Sequence, residues 1–235
     1  MVYERIQPGV FLSRTNRFLA EVDLGGRIER CHVKNTGRCK ELLRRGAPVF
    51  VQAAENPDRK TKYDLISVRK REQVVNIDSQ APNRLFAEWV QNGNLFHTVT
   101  KLRPECKYGS SRFDFYLEAD GRNIFAEVKG VTLEKRGTAL FPDAPTERGV
   151  RHLRELCDCV QDGFDAYVVI VIQMQGVRLF RPNYATHPQF GAALAKAAAA
   201  GVHIFALDCT VTPDSIAIRH EIPIDLFPPL VKRKD

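Results

Sequence analysis

Over the first 80 residues, apolar side chains come in short runs: GVFLS, RFLAEVDL, RIERCHV, APVFVQAA, DLISVRK and VVNID. Turn-forming stretches such as GG and NPDRK divide them, and runs of this length between turn signals predict β-strands. Between the third and fourth runs, RCKELLRRG predicts a turn or two of helix closed by Gly46. Five or so strands with one short helix suit an oligonucleotide-binding (OB) type of barrel and other small barrels alike.

After SQAPNR the periodicity lengthens. Asn83 is placed to cap a helix over RLFAEWVQNG, which gathers Leu85, Phe86 and Trp89 on one side. Three strands are expected next, LFHTVTKLRPECK, SRFDFYLE and NIFAEVKGV, the last two joined by the hairpin signal ADGR. Thr146 precedes a helix over ERGVRHLRELCDCVQDG with Val150, Leu153, Cys157 and Val160 as its apolar stripe. A buried strand AYVVIVIQM, an Ala-rich helix GAALAKAAAAG and a strand VHIFALDCTV complete the pattern. The expectation is an α/β (α+β) chain in two domains, a small β-barrel over residues 1–80 and a mixed α/β domain over 81–235.

Composition sharpens this outline. With 235 residues and 44% hydrophobic content the chain can bury a sizeable core. The net charge is +7, and residues 1–80 hold most of it, with 16 Lys and Arg against 10 Asp and Glu. That excess points to a polyanion partner. The start MVYERIQPGV has no apolar run of signal-peptide length and YVVIVI is too short to span a bilayer, so a cytoplasmic chain without a membrane partner is expected. Six cysteines are read as reduced thiols, and Cys157 and Cys159, two apart on a helix, do not make a zinc pair.

Candidate chemistry lies in FAEVKGV, residues 125–131. Strand periodicity turns Glu127 and Lys129 to one face, and in SRFDFYLE the alternation of Phe113, Phe115 and Leu117 leaves Asp114 on the polar face. If the ADGR hairpin pairs these strands, two carboxylates and an ammonium converge. Isolated charges are costly away from water, whereas carboxylates side by side favour a bound cation. Oxygen ligands suit Mg2+ (or Mn2+), which also binds phosphate oxygens, and a lysine can orient an attacking water. These are the parts of phosphodiester hydrolysis.

An Asp followed about a dozen residues later by Glu-x-Lys on the next strand resembles the PD-(D/E)xK nuclease superfamily, with Phe113 where that name has proline. RFLAEV, NTG at 35–37, PNR at 82–84, ECKYGSSRFDF, EVKGVTL and FPDAPTERGVRHLREL resemble, in order, the sugar fermentation stimulation protein A family. That resemblance implies an OB-like barrel joined to a restriction-endonuclease-like domain, DNA binding without marked sequence preference, and a role attached to sugar metabolism genes. It also implies Glu88 on the preceding helix and Glu105 at a strand end as further metal ligands. His152 and Glu155, beside Arg148 and opposite the apolar stripe, are expected to face a phosphate or support its ligands.

Phosphate contacts are expected from Arg14, Arg17, Arg30, His32, Lys34, Arg38 and Lys40 around the NTG turn, with Phe18 for stacking. Lys107, Tyr108 and Arg112 flank the acidic site. No sequence-reading module is recognisable, so contacts should fall mainly on the DNA backbone, with the oligomeric state left open. The reading is a DNA-binding protein with Mg2+-dependent hydrolysis, in which Asp114 and Glu127 hold the ion and Lys129 positions water. The alternative is a non-catalytic DNA-binding regulator with a vestigial site.

Overall fold

The six β-rich runs of the N-terminal half are strands in a computed structural model that describes residues 1–228 apart from Thr36 and Pro57. Thr36 of the NTG turn, Pro57 of NPDRK and the last seven residues of the expected second domain lie outside the described residues. Strands β1 (Ile6–Asn16), β2 (Leu19–Asp23), β3 (Ile28–Val33), β4 (Pro48–Ala53) and β5 (Tyr63–Lys70) pair in the order β3-β2-β1-β4-β5. The parallel pairing of β3 with β5, Cys31 opposite Tyr63 and Val33 opposite Leu65, closes them into an OB-like barrel. Strand β1 pairs with β4 over Ile6–Val10 and with β2 over Val10–Asn16, and it slips register against β2 between Phe11 and Ser13, the local bend that a barrel corner needs. Strand β6 (Gln73–Asn76) extends β5 as a hairpin. Alternating Ala20, Val22, Cys31, Val33, Val49 and Val51 fill the interior with no exposed surface.

The expected helix in RCKELLRRG is absent; residues 38–46 form turns. Cys39 sits at φ +46, off the helical path, and Cys39 and Leu42 turn inward to plug the barrel. The Arg14 guanidinium donates to the carbonyls of Asn35, Gly37, Arg38 and Arg17 at 2.6–2.9 Å, so it braces this connection. Arg14 is thereby a structural residue and not a free phosphate contact. Lys34 is likewise engaged, 3.2 Å from Asp64 and 3.6 Å from Asp78, and His32 lies 3.4 Å from Asp64.

The second half comprises α1 (Ala81–Gln91), β7 (Val99–Tyr108), β8 (Ser111–Ala119), β9 (Arg122–Val131), β10 (Glu134–Lys135), β11 (Thr138–Phe141) and α2 (Glu147–Gln161). It continues with β12 (Asp165–Ile172), β13 (Leu179–Pro182), α3 (Pro188–Ala199), β14 (His203–Val211) and β15 (Ile216–Glu221). The main sheet runs β15-β14-β12-β9-β8-β7, parallel across β9, β12 and β14 and antiparallel at both edges. Helix α1 covers one face, and α2 with α3 the other. A strand covered on both faces must be apolar throughout, which is why AYVVIVI is unbroken at β12. Strands β10, β11, β13 and β15 were not expected from the pattern: the first three are four residues or fewer, and β15 is a polar edge strand.

A buried polar seam joins barrel to sheet. Tyr3 donates to Asp78 (3.3 Å), Asn76 donates to Tyr3 (3.0 Å), and Gln173 at the end of β12 donates to Asn76 (3.0 Å) and to the Asp78 carbonyl (2.9 Å). At its rim burial pushes the Asp64 carboxyl up, but Arg59 and Lys34 more than offset this and hold it below its ordinary value. A depressed carboxyl adds stability that is full above the unfolded value of 3.8 and lost as pH falls through the lower folded one. Asp64→Asn should therefore lose about 1–2 kcal/mol in urea unfolding at pH 7. The deficit against the unmodified chain should shrink as the pH is taken below that window, and a pH-independent deficit would refute the pairing argument.

Candidate metal and phosphate site

Hairpin β8–β9 turns through Asp120 and Gly121, both at positive φ (+48 and +75), the conformation that a two-residue turn of this hand requires. Its ladder runs from Ala119 opposite Arg122 to Phe115 opposite Ala126 and stops there. The next pair in line is Asp114 and Glu127. At that point the strands splay: the Val128 N–H donates to Asp114 Oδ2 at 2.8 Å. Phe113 accordingly leaves the face of Phe115 and Leu117, contrary to strict alternation, and packs beneath α2 with its ring edge-on to His152 at 5.8 Å. Asp114 thus fills the opening between two strands.

Glu127, only 2% exposed, is held from the opposite helix. His152 Nδ1 lies 2.6 Å from Glu127 Oε1, and His152 Nε2 lies 3.3 Å from Arg148 Nε. Lys129 donates to the same Oε1. Oε2 is buried with no partner. Burial pushes the Glu127 carboxyl up, and the His152 bond and Lys129 ammonium together bring it below its ordinary value. Burial and then the Glu127 charge push Asp114 up, against Lys129, the Val128 N–H and Asn83, whose amide donates to Asp114 Oδ1 at 3.1 Å.

The structure brings Asp114, Glu127 and Lys129 together; it does not bring the other two expected carboxylates. Glu88 is on the outer side of α1, half exposed and 3.1 Å from the amino terminus. The turn of α1 that reaches the site is its first, through Asn83. Glu105 occupies a positive φ of +52 opposite the kink in β8, where its carboxylate is exposed and 3.2 Å from Arg112. Among the described residues no three His, Cys, Asp or Glu side chains are gathered around one ion position. His152 is buried and ligates Glu127, so it is not a phosphate contact; Glu155 accepts from Ser110 at 2.6 Å. Tyr108 donates to Asp162 and belongs to the aromatic cluster with Phe113 and Phe125. Arg17, Arg30, Arg38, Lys40, Lys107, Arg112 and Arg148 are exposed, Arg17 lying over the Phe18 ring.

Two residues carry more than the pattern suggested. Asn83 was expected as the helix cap, but α1 begins at Ala81 with Pro82 in its first turn, and the preference of proline for that turn was the signal. His152, Leu156 and Cys159 are all buried, so the true inward face of α2 lies beside the stripe chosen from hydropathy alone.

Two carboxylates suit a hard cation that completes its shell with water and phosphate oxygens, and the orphaned Glu127 Oε2 supplies the open acceptor. Comparison with known proteins agrees with the two-part fold. The sugar fermentation stimulation protein RE domain model matches residues 80–215, and the SfsA N-terminal OB domain model matches residues 12–77. A sugar fermentation stimulation protein homolog of Clostridium beijerinckii is 54% identical over 226 residues, covering 96% of this chain and 100% of the relative. The homolog of Desulfitobacterium hafniense (strain Y51) is 57% identical over 216 residues, 92% of this chain and 94% of that one. The solved structure of Pyrococcus furiosus SfsA in complex with Ca2+ superposes with a TM-score of 0.88 at 29% identity, covering 96% of this chain and 98% of the other.

Gly130 follows Lys129 at a close approach of three elements: a Cβ there would meet Gln173 Oε1 at 2.6 Å and Pro82 Cγ at 2.7 Å. Gly130→Ala should lose about 1–3 kcal/mol in chemical denaturation because α1 or Gln173 must shift. Unchanged stability would contradict the packing described.

Proposed function

The chain belongs to the sugar fermentation stimulation protein family, and from that premise we propose that it binds DNA and hydrolyses phosphodiester bonds with a divalent cation, Mg2+ or Mn2+, held by Asp114 and Glu127. The carrying observation is Glu127: a buried, ionised carboxylate with one oxygen fixed by His152 and Lys129 and the other without a partner. A relative that binds Ca2+ on the same fold supports a divalent ion in this chain. When bound, the cation supplies Lewis acidity toward a phosphate oxygen and acidifies a water.

The chain's own residues supply orientation and charge. Asn83 and the Val128 N–H fix the rotation of Asp114, and His152 fixes Glu127. Lys129, partly exposed beside them, holds the attacking water or the scissile phosphate. Exposed Arg148, on the turn of α2 before His152, is positioned for the flanking phosphate. Backbone contacts from the basic barrel over residues 1–80 retain the strand, without base recognition and in the cytoplasm.

A second reading has one observation in its favour: Glu88 and Glu105 turn away, leaving two carboxylates for the ion. In that reading the protein is a DNA-binding regulator without turnover. Metal uptake and cleavage separate the two. Mg2+, Mn2+ and Ca2+ should raise the melting temperature of the wild-type protein and leave Glu127→Gln unmoved. Asp114→Asn and Lys129→Ala should each reduce cleavage of labelled DNA or RNA by about 10³-fold while binding in EDTA persists. Wild-type protein that takes up no cation and never cuts either nucleic acid would eliminate the hydrolytic reading.

A further inference from the structure

A large basic cleft opens along the β3–β4 connection, C-terminal to the NTG turn where sequence placed the phosphate contacts. It measures about 1020 Å³ and lies between the β3–β4 connection, the β5–β6 turn and the β10–β11 hairpin. Its walls carry Arg44 and Arg45 from the first, Arg69 and Arg71 from the second, and Lys135 and Arg136 from the third. All six are exposed, and among the described residues none is in an ion pair. Glu41 and Glu72 also line the cleft. The third acid, Glu134, is taken by Lys70 at 2.8 Å, a pair that ties the barrel to the second sheet across the cleft floor. Arg69 additionally lies over the Phe50 ring, 5.7 Å from its centre.

Cations brought from three separate segments into one concavity repel one another, and each costs stability in the absence of a counter-charge. A spaced polyanion satisfies all of them at once. We infer that this cleft is the track for the phosphate backbone of nucleic acid, seated across both halves of the chain by Arg44, Arg45, Arg69, Arg71, Lys135 and Arg136. The inference rests on the DNA-binding part of the proposed function and assigns it a place. Lys135 follows Lys129 by six residues, so the backbones of cleft and candidate site are at most about 20 Å apart at that point. The track also accounts for the basic excess after Arg14 and Lys34 are assigned to internal contacts.

The test is fluorescence anisotropy with labelled duplex and single-stranded oligonucleotides in EDTA, titrated across salt concentrations. The full-length variant Arg44→Ala/Arg45→Ala/Arg71→Ala/Arg136→Ala should bind about 10²-fold more weakly or worse. The slope of log K against log salt should fall by about 3–4 for duplex. Arg17→Ala/Arg30→Ala, two charges that the sequence pattern assigns to phosphate contacts, should lose less than either matched pair, Arg44→Ala/Arg45→Ala or Arg71→Ala/Arg136→Ala, each expected to lose about tenfold. Thermal scans verify folding, and the two pairs carry the test alone if the quadruple variant does not fold. Equal binding by cleft variants and wild type, a larger loss from the Arg17/Arg30 pair, or no binding by wild type would each overturn the inference. Cation uptake and cleavage are read in separate samples, so an intact cleft result with no turnover removes hydrolysis alone.

Discussion

A carboxylate that is 2% exposed and still ionised is the constraint around which the second half of this protein is arranged. Desolvating such a charge without compensation costs several kcal/mol, more than most single interactions return. Glu127 is kept charged because α2 presents His152 to the same oxygen that Lys129 reaches along β9. Helix α2 must therefore sit in one rotational setting. Its N-terminus is fixed by Thr146, which accepts from the Gly149 N–H at 3.0 Å, and its inward face by Leu153, Leu156 and Cys159. The apolar packing of the helix and the ionisation of Glu127 are two results of the same docking.

The opposite side of the hairpin answers a different requirement. Where β8 leaves β9, a buried backbone N–H loses its ladder partner, and the Asp114 carboxylate replaces it. Asp114 then lies close to Glu127, and the two respond differently to shared burial: Asp114 is pushed up while Glu127, with the stronger partners, stays low. Adjacent carboxylates whose surroundings push them in opposite directions recur at functional sites. A simple ion pair would require only one acid for the one lysine.

Those features differ in how far local sequence reveals them. Glu127 and Lys129 sharing a face follows from period-two geometry, and Asp114 joining them follows from the length of the ADGR hairpin, so the three-residue cluster was legible. The barrel was legible because its strands are short, alternating and divided by strong turns. The residues 38–46 misled because helix-forming Lys, Glu and Leu there are overridden by Arg14 bracing the carbonyls and by Cys39 and Leu42 plugging the barrel. Glu88 and Glu105 misled for a three-dimensional reason: the first turn of α1, and not its third, meets the splay, and the kink beside Asp114 swings Glu105 outward. Counting basic residues likewise cannot distinguish an arginine holding four carbonyls from one facing solvent.

The geometry between the halves is fixed by a buried seam of mutually bonded polar side chains. Tyr3, Asn76, Asp78 and Gln173 bond to one another across the join, and the backbone N–H of Asn76 donates to the Gln173 carbonyl at 2.9 Å. Buried networks of this kind specify one arrangement, because a slip would leave several groups unsatisfied together. Gln173 also abuts Gly130, the residue after Lys129, so the seam that locates the barrel sets the backbone bearing the site lysine. Displacing the barrel would therefore disturb Lys129 through Gly130 and Asn83 through Pro82. Barrel and site are in this sense one mechanical unit, with the glycine where no side chain fits as the point of contact.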